Sequence, residues 1–191
     1  MKRQLNVLLI IFAAANLFLL NNIQAQNAES HVYSVEEIIE KAPTLVGQTV
    51  TVKGNVQHIC ERSGRKLFLE TTDGKRTFRF NAGKKIDKFD ENVVESIVIA
   101  TGVVAEQRVT IEDLNKQEAT AIAAEKAQKA KKVAEHCTSE AKANGENTTA
   151  TPLQRVQTLK AKLNKQIAAG KNNYLSFYTI DDTNEYSIVK K

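Results

Sequence analysis

The feature that most constrains this chain is an alternation of apolar and polar side chains between residues 47 and 109. In residues 48–60, Val50, Val52 and Val56 occupy one face while Thr49, Thr51, Lys53 and Asn55 occupy the other, which is the period of a half-buried strand. Gly54 interrupts that run, and a glycine inside a strand pattern predicts a bulge or a sharp bend. Ser63-Gly64 then predicts a turn. Residues 66–71 and 75–81 alternate again and are joined by Asp73-Gly74, a pair suited to a tight hairpin. A short charged segment holding Ile86 and Phe89 follows. Residues 96–104 are apolar on both faces through Ile97, Val98, Ile99, Ala100 and Val103, so this strand is expected to be covered twice.

A long bent strand, a turn, a hairpin, a short helix-like link and a return strand is the order of an oligonucleotide/oligosaccharide-binding (OB) barrel. The runs Gly47-Gln48-Thr49-Val50-Thr51-Val52-Lys53-Gly54-Asn55-Val56 and Ile97-Val98-Ile99-Ala100-Thr101-Gly102-Val103-Val104 resemble the secreted bacterial OB-fold proteins of the tRNA-anti-like type. The resemblance covers about a third of the chain and rests on fold-forming positions, so it implies an architecture and not an activity. By that resemblance, the ligand-binding face lies on the second and third strands with the preceding loop, at Arg62, Arg65, Lys66, Phe68 and Arg79.

The first 25 residues read as a signal peptide: Lys2 and Arg3 precede an apolar core running to Leu20, and Ala25 offers a cleavage point. An uncleaved membrane anchor is the rival reading. Cleavage predicts a periplasmic or secreted chain with no remaining membrane span. The mature 166 residues keep 25 basic side chains (27 less Lys2 and Arg3) against 22 acidic ones, a net charge of +3 that does not by itself demand a nucleic-acid partner.

The expected class is α+β, with residues 32–109 forming an OB-type barrel and its plug helix. Ser34 and Glu37 have capping-box spacing ahead of Val35, Ile38 and Ile39, and Pro43 is expected to end the helix. Thr110 with Asp113 resembles a second cap. Residues 110–144 are alanine-rich without proline or glycine until the end, and predict one long helix of roughly 50 Å at about 1.5 Å per residue. Its apolar stripe is thin, so its middle is expected to project into solvent or meet a partner. Residues 151–191 read as a helix opened by Thr151-Pro152, with a stripe at Leu153, Val156, Leu159, Leu163 and Ile167, followed by a β-hairpin turning at residues 181–184. The tail is expected to return to the barrel as its missing strand; a separate small module made with the second helix is the alternative.

Two His/Cys doublets carry the chemistry. His58 and Cys60 sit two apart at the end of the first strand, and His136 and Cys137 are adjacent on the long helix. Imidazole and thiolate suit Zn²⁺, although adjacent helical residues diverge by about 100°, so His58, Cys60 and Cys137 are the more realistic ligand set. In an oxidising compartment a Cys60–Cys137 disulfide is the simpler reading. No nucleophile elbow, phosphate loop or HExxH is present, so no catalytic residue is assigned and the chain is expected not to be an enzyme. The reading is an exported binding module for an unknown protein, glycan or ion, with a metal-binding envelope protein as the alternative and no cofactor assigned beyond that Zn²⁺ site. Single-stranded nucleic acid ranks last, because the predicted face offers one aromatic for base stacking.

Overall fold

The computed structural model describes residues 31–128 and 138–190. The segments read as a signal peptide and the His136-Cys137 doublet lie outside the described residues. Val32–Ser34 (β1) runs parallel to the middle of Thr49–Ile59 (β2) and leads directly into Val35–Leu45 (α1). The capping box forms as the sequence predicts: the Ser34 hydroxyl accepts from the Glu37 amide, and the Glu37 carboxylate accepts from the Ser34 amide at 2.9 Å. Pro43 does not end α1, which continues to Leu45. Val35, Ile38 and Ala42 enter the same core as Val50, Val52, Leu67, Leu69 and Phe80, so α1 plugs the barrel.

β2 continues antiparallel with Lys66–Glu70 (β3), and β3 pairs with Thr77–Ala82 (β4) across the Asp73-Gly74 turn. Gly74 takes φ +66°, while the Asp73 carboxylate accepts from the Thr71 hydroxyl and the Lys75 amide and so holds the turn shut. After a 3₁₀ turn at Glu91–Val93, Ile97–Thr110 (β5) pairs with β2. Its residues Val98, Ala100 and Val104 are buried in the core, but Ile97, Ile99 and Val103 are only half-buried. The expectation of full cover on both faces is thus corrected. What β5 has on both sides is a paired edge.

The second pairing comes from Tyr174–Lys190 (β6), which is one strand and not a hairpin. It runs antiparallel to β5 from Thr110↔Tyr174 to Ile97↔Lys190 and also lies parallel to β4 through Phe80↔Ile180 and Ala82↔Thr183. The barrel therefore closes in the order β2-β3-β4-β6-β5 and back to β2, a five-stranded mixed barrel of OB type in an α+β chain. The polar run at residues 181–184 that looked like a turn is a bulge. Thr101 pairs Glu185 while Val103 pairs Asp181, so three β6 residues face Gly102 alone, and Asp182 takes φ 52°.

Beyond the barrel, the β5–β6 ribbon carries a second core. Ile111–Gln128 (α2) and Pro152–Ala168 (α4) cover it, and Leu114, Val156, Leu159 and Leu163 pack with Val109 and Leu175. Lys160 of α4 reaches Glu118 of α2 at 2.6 Å. Gly170, at φ +69°, ends α4: its amide donates to the Ile167 carbonyl and that of Lys171 to the Gln166 carbonyl. The tail both completes the barrel and builds a module with the second helix, so the two alternatives are one structure. Of the run read as one long helix, the described residues show α2 and a six-residue helix near its end. Thr138–Ala143 (α3) packs on β4, and Asn144 lines a groove with Ala121 and Ala124, whereas a straight helix would hold Asn144 about 34 Å from Ala121 at about 1.5 Å per residue.

Candidate ligand-binding surface

β3 and β4 alternate strictly, so Leu67, Leu69, Phe78 and Phe80 fill the barrel while Lys66, Phe68, Thr77 and Arg79 point away from it. That outer face is not bare. α3 packs on β4, and its residues complete the polar chemistry of the strands. The Glu140 carboxylate takes Lys66 Nζ on one oxygen at 2.6 Å and an Arg79 guanidinium nitrogen on the other. Ser139, buried, donates its hydroxyl to Gln57 Oε1 at 3.0 Å, and the Thr77 hydroxyl donates to the Ser139 carbonyl at 3.4 Å. Phe68, the aromatic assigned to an exposed ligand face, is 0% exposed and stacks with His58 at 5.9 Å between centroids, so it offers no platform. Its burial corrects that assignment: strand alternation gives the side of the sheet, and a later segment folds over that side.

Arg65 is held in a different way. Its guanidinium donates to the carbonyls of Ile86 and Asp87, at 3.2 and 2.7 Å, and of Ala82 and Gly83, at 3.0 and 3.3 Å. It clamps the chain leaving β4. Arg62 is exposed in the turn between β2 and β3.

Burial raises the Glu140 pKa, but the Lys66 hydrogen bond and the Arg79 charge outweigh it and hold the carboxyl below the ordinary glutamate range. A depressed folded pKa means that the ion cluster stabilises the docked α3 above the unfolded value and loses that contribution as pH falls through the folded one. The α3 amides are therefore expected to keep their hydrogen-exchange protection at neutral pH and to lose it selectively below about pH 4. Equal protection at pH 3 and pH 7, with the barrel intact at both, would contradict the assignment.

Beside α3 the surface opens into a cleft of about 710 Å³ lined by Gln57, Lys75, Arg76, Ser139, Lys142 and the loop at residues 145–149. Lys75, Arg76 and Lys142 against Glu146 leave a net charge of +2, and Asn147, Thr148 and Thr149 add amide and hydroxyl groups. No aromatic lines the cleft. Lys75 and Arg76 open the run read from the sequence as the second hairpin strand. Lys142 and the loop were not singled out, because residues 110–144 were read as one long helix. A second groove, about 580 Å³, lies between β1 and the end of β3, where two of its carboxylates already serve the fold: Glu36 accepts from the Thr72 amide at 2.6 Å and Glu70 from Asn55 at 2.8 Å.

Of the two doublets, His58 is the Phe68 neighbour just described. Cys60 is a free thiol at the turn beyond β2, where its carbonyl accepts from the amides of Ser63 and Gly64. Burial, the largest single influence, raises its pKa, but hydrogen bonds from Ser63 and the Arg62 amide, with the Lys66 charge, together bring it below the ordinary thiol value. Ile59 between them is buried, and no group of three His, Cys, Asp or Glu side chains among the described residues is placed to hold a metal. The ligand and disulfide partners read at His136 and Cys137 lie outside the described residues.

Architecture and face together define an OB-type barrel module with a basic polar cleft. Neither a protein-family model nor a curated protein matches the chain. Part of it is similar to a solved structure described as an aspartyl-tRNA synthetase of Leishmania major Friedlin, with 22% identity and a TM-score of 0.31. The match covers 47% of this chain and 18% of that one, so the chain spans less than a fifth of that protein.

Proposed function

We propose that this protein is an exported, non-enzymatic binding module that takes an anionic ligand in the cleft beside the β3–β4 hairpin. The cleft carries the reading: three cations converge with amide and hydroxyl groups on one OB-type surface, and a single carboxylate opposes them. The lack of an aromatic there disfavours single-stranded nucleic acid, whose bases need a stacking platform. The non-enzymatic part of the reading rests on the sequence, which holds no nucleophile elbow, phosphate loop or HExxH. Export is supported by Lys2, Arg3, the apolar run to Leu20 and Ala25.

Fluorescein-labelled oligo-glutamate, followed by anisotropy at about 20 mM salt, is the direct probe. Salt-sensitive binding is expected, weakened about tenfold or more by Arg76→Glu and about threefold by Lys142→Ala, with a single-stranded oligonucleotide of equal charge bound no better. Indifference of the affinity to Arg76→Glu would overturn the reading.

A further inference from the structure

We infer that the outer face of β3 and β4 recognises an acidic helical turn of a partner protein, and that α3 is the chain's own occupant of that site. This rests on the reading of the hairpin side as the binding side, and it names both a partner class and a built-in competitor. What the face holds now is a peptide: the Ser139 carbonyl on the Thr77 hydroxyl, the Ser139 hydroxyl on Gln57, and the Glu140 carboxylate shared between Lys66 and Arg79. Those are a set of groups for reading a backbone carbonyl, a small hydroxyl side chain and a carboxylate in sequence.

α3 fills this site imperfectly. Arginine engages a carboxylate best through two parallel N–H donors, yet Arg79 Nε is buried and finds no hydrogen-bond partner among the described residues. The bond from Thr77 is long, at 3.4 Å. A six-residue helix has little stability of its own, and no residue of α3 belongs to either hydrophobic core. Ala141 is the apolar side chain that α3 buries. On its C-terminal side the chain turns at Gly145, φ +68°, where a Cβ would meet nothing within 4 Å. Undocking α3 therefore leaves both cores and the barrel in place but takes Ser139 and Lys142 out of the cleft, so the partner segment and the cleft ligand exclude one another. A partner segment whose glutamate reaches both the Nε and a terminal nitrogen of Arg79 satisfies a donor that α3 leaves orphaned, and this is the difference by which it displaces a tethered competitor.

The tether sets the competition, since an attached segment acts at an effective concentration in the millimolar range. The test uses the full chain, wild type and Glu140→Gln, with a labelled nonapeptide copying residues 138–146, Thr-Ser-Glu-Ala-Lys-Ala-Asn-Gly-Glu. The peptide is expected to bind Glu140→Gln about tenfold or more tighter than wild type, to shift the amides of Phe68, Thr77 and Arg79, and to lose the gain in the Glu140→Gln/Arg79→Gln double variant. Faster hydrogen exchange at α3 in Glu140→Gln without any peptide-induced shift on β3 and β4 would overturn the inference, as would unchanged protection of α3. The site of the shifts separates the two readings. Oligo-glutamate without effect at Lys75, Arg76 and residues 145–149 contradicts the cleft reading, whereas nonapeptide without effect at Phe68, Thr77 and Arg79 contradicts this one.

Discussion

A chain stopped at Gly170 is expected to lose cooperative unfolding altogether. Such a truncation removes β6, which pairs with β5 along its whole length and closes the barrel against β4. Ile180 leaves the barrel core and Leu175 leaves the core beneath α4, so both layers are opened by one deletion. The unpaired edges of β4 and β5 then invite association with other chains. Circular dichroism should show a shallow, non-sigmoidal melt, and sedimentation should show aggregates. A truncated monomer with a sharp melt would mean that the barrel does not depend on its tail.

Gly102→Ala is expected to cost about 3 kcal/mol, at the upper end for forcing a methyl into a packed interior. A Cβ at this position would lie 2.4 Å from Ile180 Cγ2 and 2.7 Å from the Asp181 carbonyl oxygen. The second contact is backbone, fixed by the bulge that lets three β6 residues face Gly102, so the strain has no cheap outlet. Gly54 is the instructive comparison. Its Cβ would meet Val35 Cγ2 at 2.5 Å and Leu69 Cβ at 3.2 Å, but the first neighbour sits on the short α1, which can shift, so about 1.5 kcal/mol is expected. Urea midpoints for the two variants test the order. Gly54→Ala proving the more damaging would contradict this account of the bulge.

Local chemistry was legible from the sequence where the physics is local. The alternation of Val50, Val52 and Val56, the Ser34/Glu37 box and the Asp73-Gly74 turn each depend on residues within a few positions of one another, and each is found in the structure. The bulge expected at Gly54 is not there: Gly54 stays in register with Val98 and admits Val35, and the irregular register lies between Val56 and His58. Asp181 to Asn184 carry turn composition, yet polar residues and one positive φ serve a bulge as well as a hairpin. Only pairing with β4 and β5 together decides between them.

The surface was less legible than the fold because its composition depends on what folds over it. Lys66 and Arg79 were placed on the outer face correctly, but their partner Glu140 lies over 60 positions away in a segment whose alanine content favours continuous helix. Nothing local announces that Ser139 and Glu140 turn back onto β4. Arg65 shows the same limit from the other side: four carbonyls from residues 82–87 consume a guanidinium that sequence position alone would leave free for a ligand.

On the proposed reading, the cleft beside the β3–β4 hairpin is where this module meets its anionic ligand. Amide shift mapping of the full-length wild-type chain during an oligo-glutamate titration tests it most directly. Shifts are predicted at Gln57, Lys75, Arg76, Lys142 and residues 145–149, fading as salt is raised. Shifts confined to the groove between β1 and β3, or to the ribbon beside α4, would contradict it.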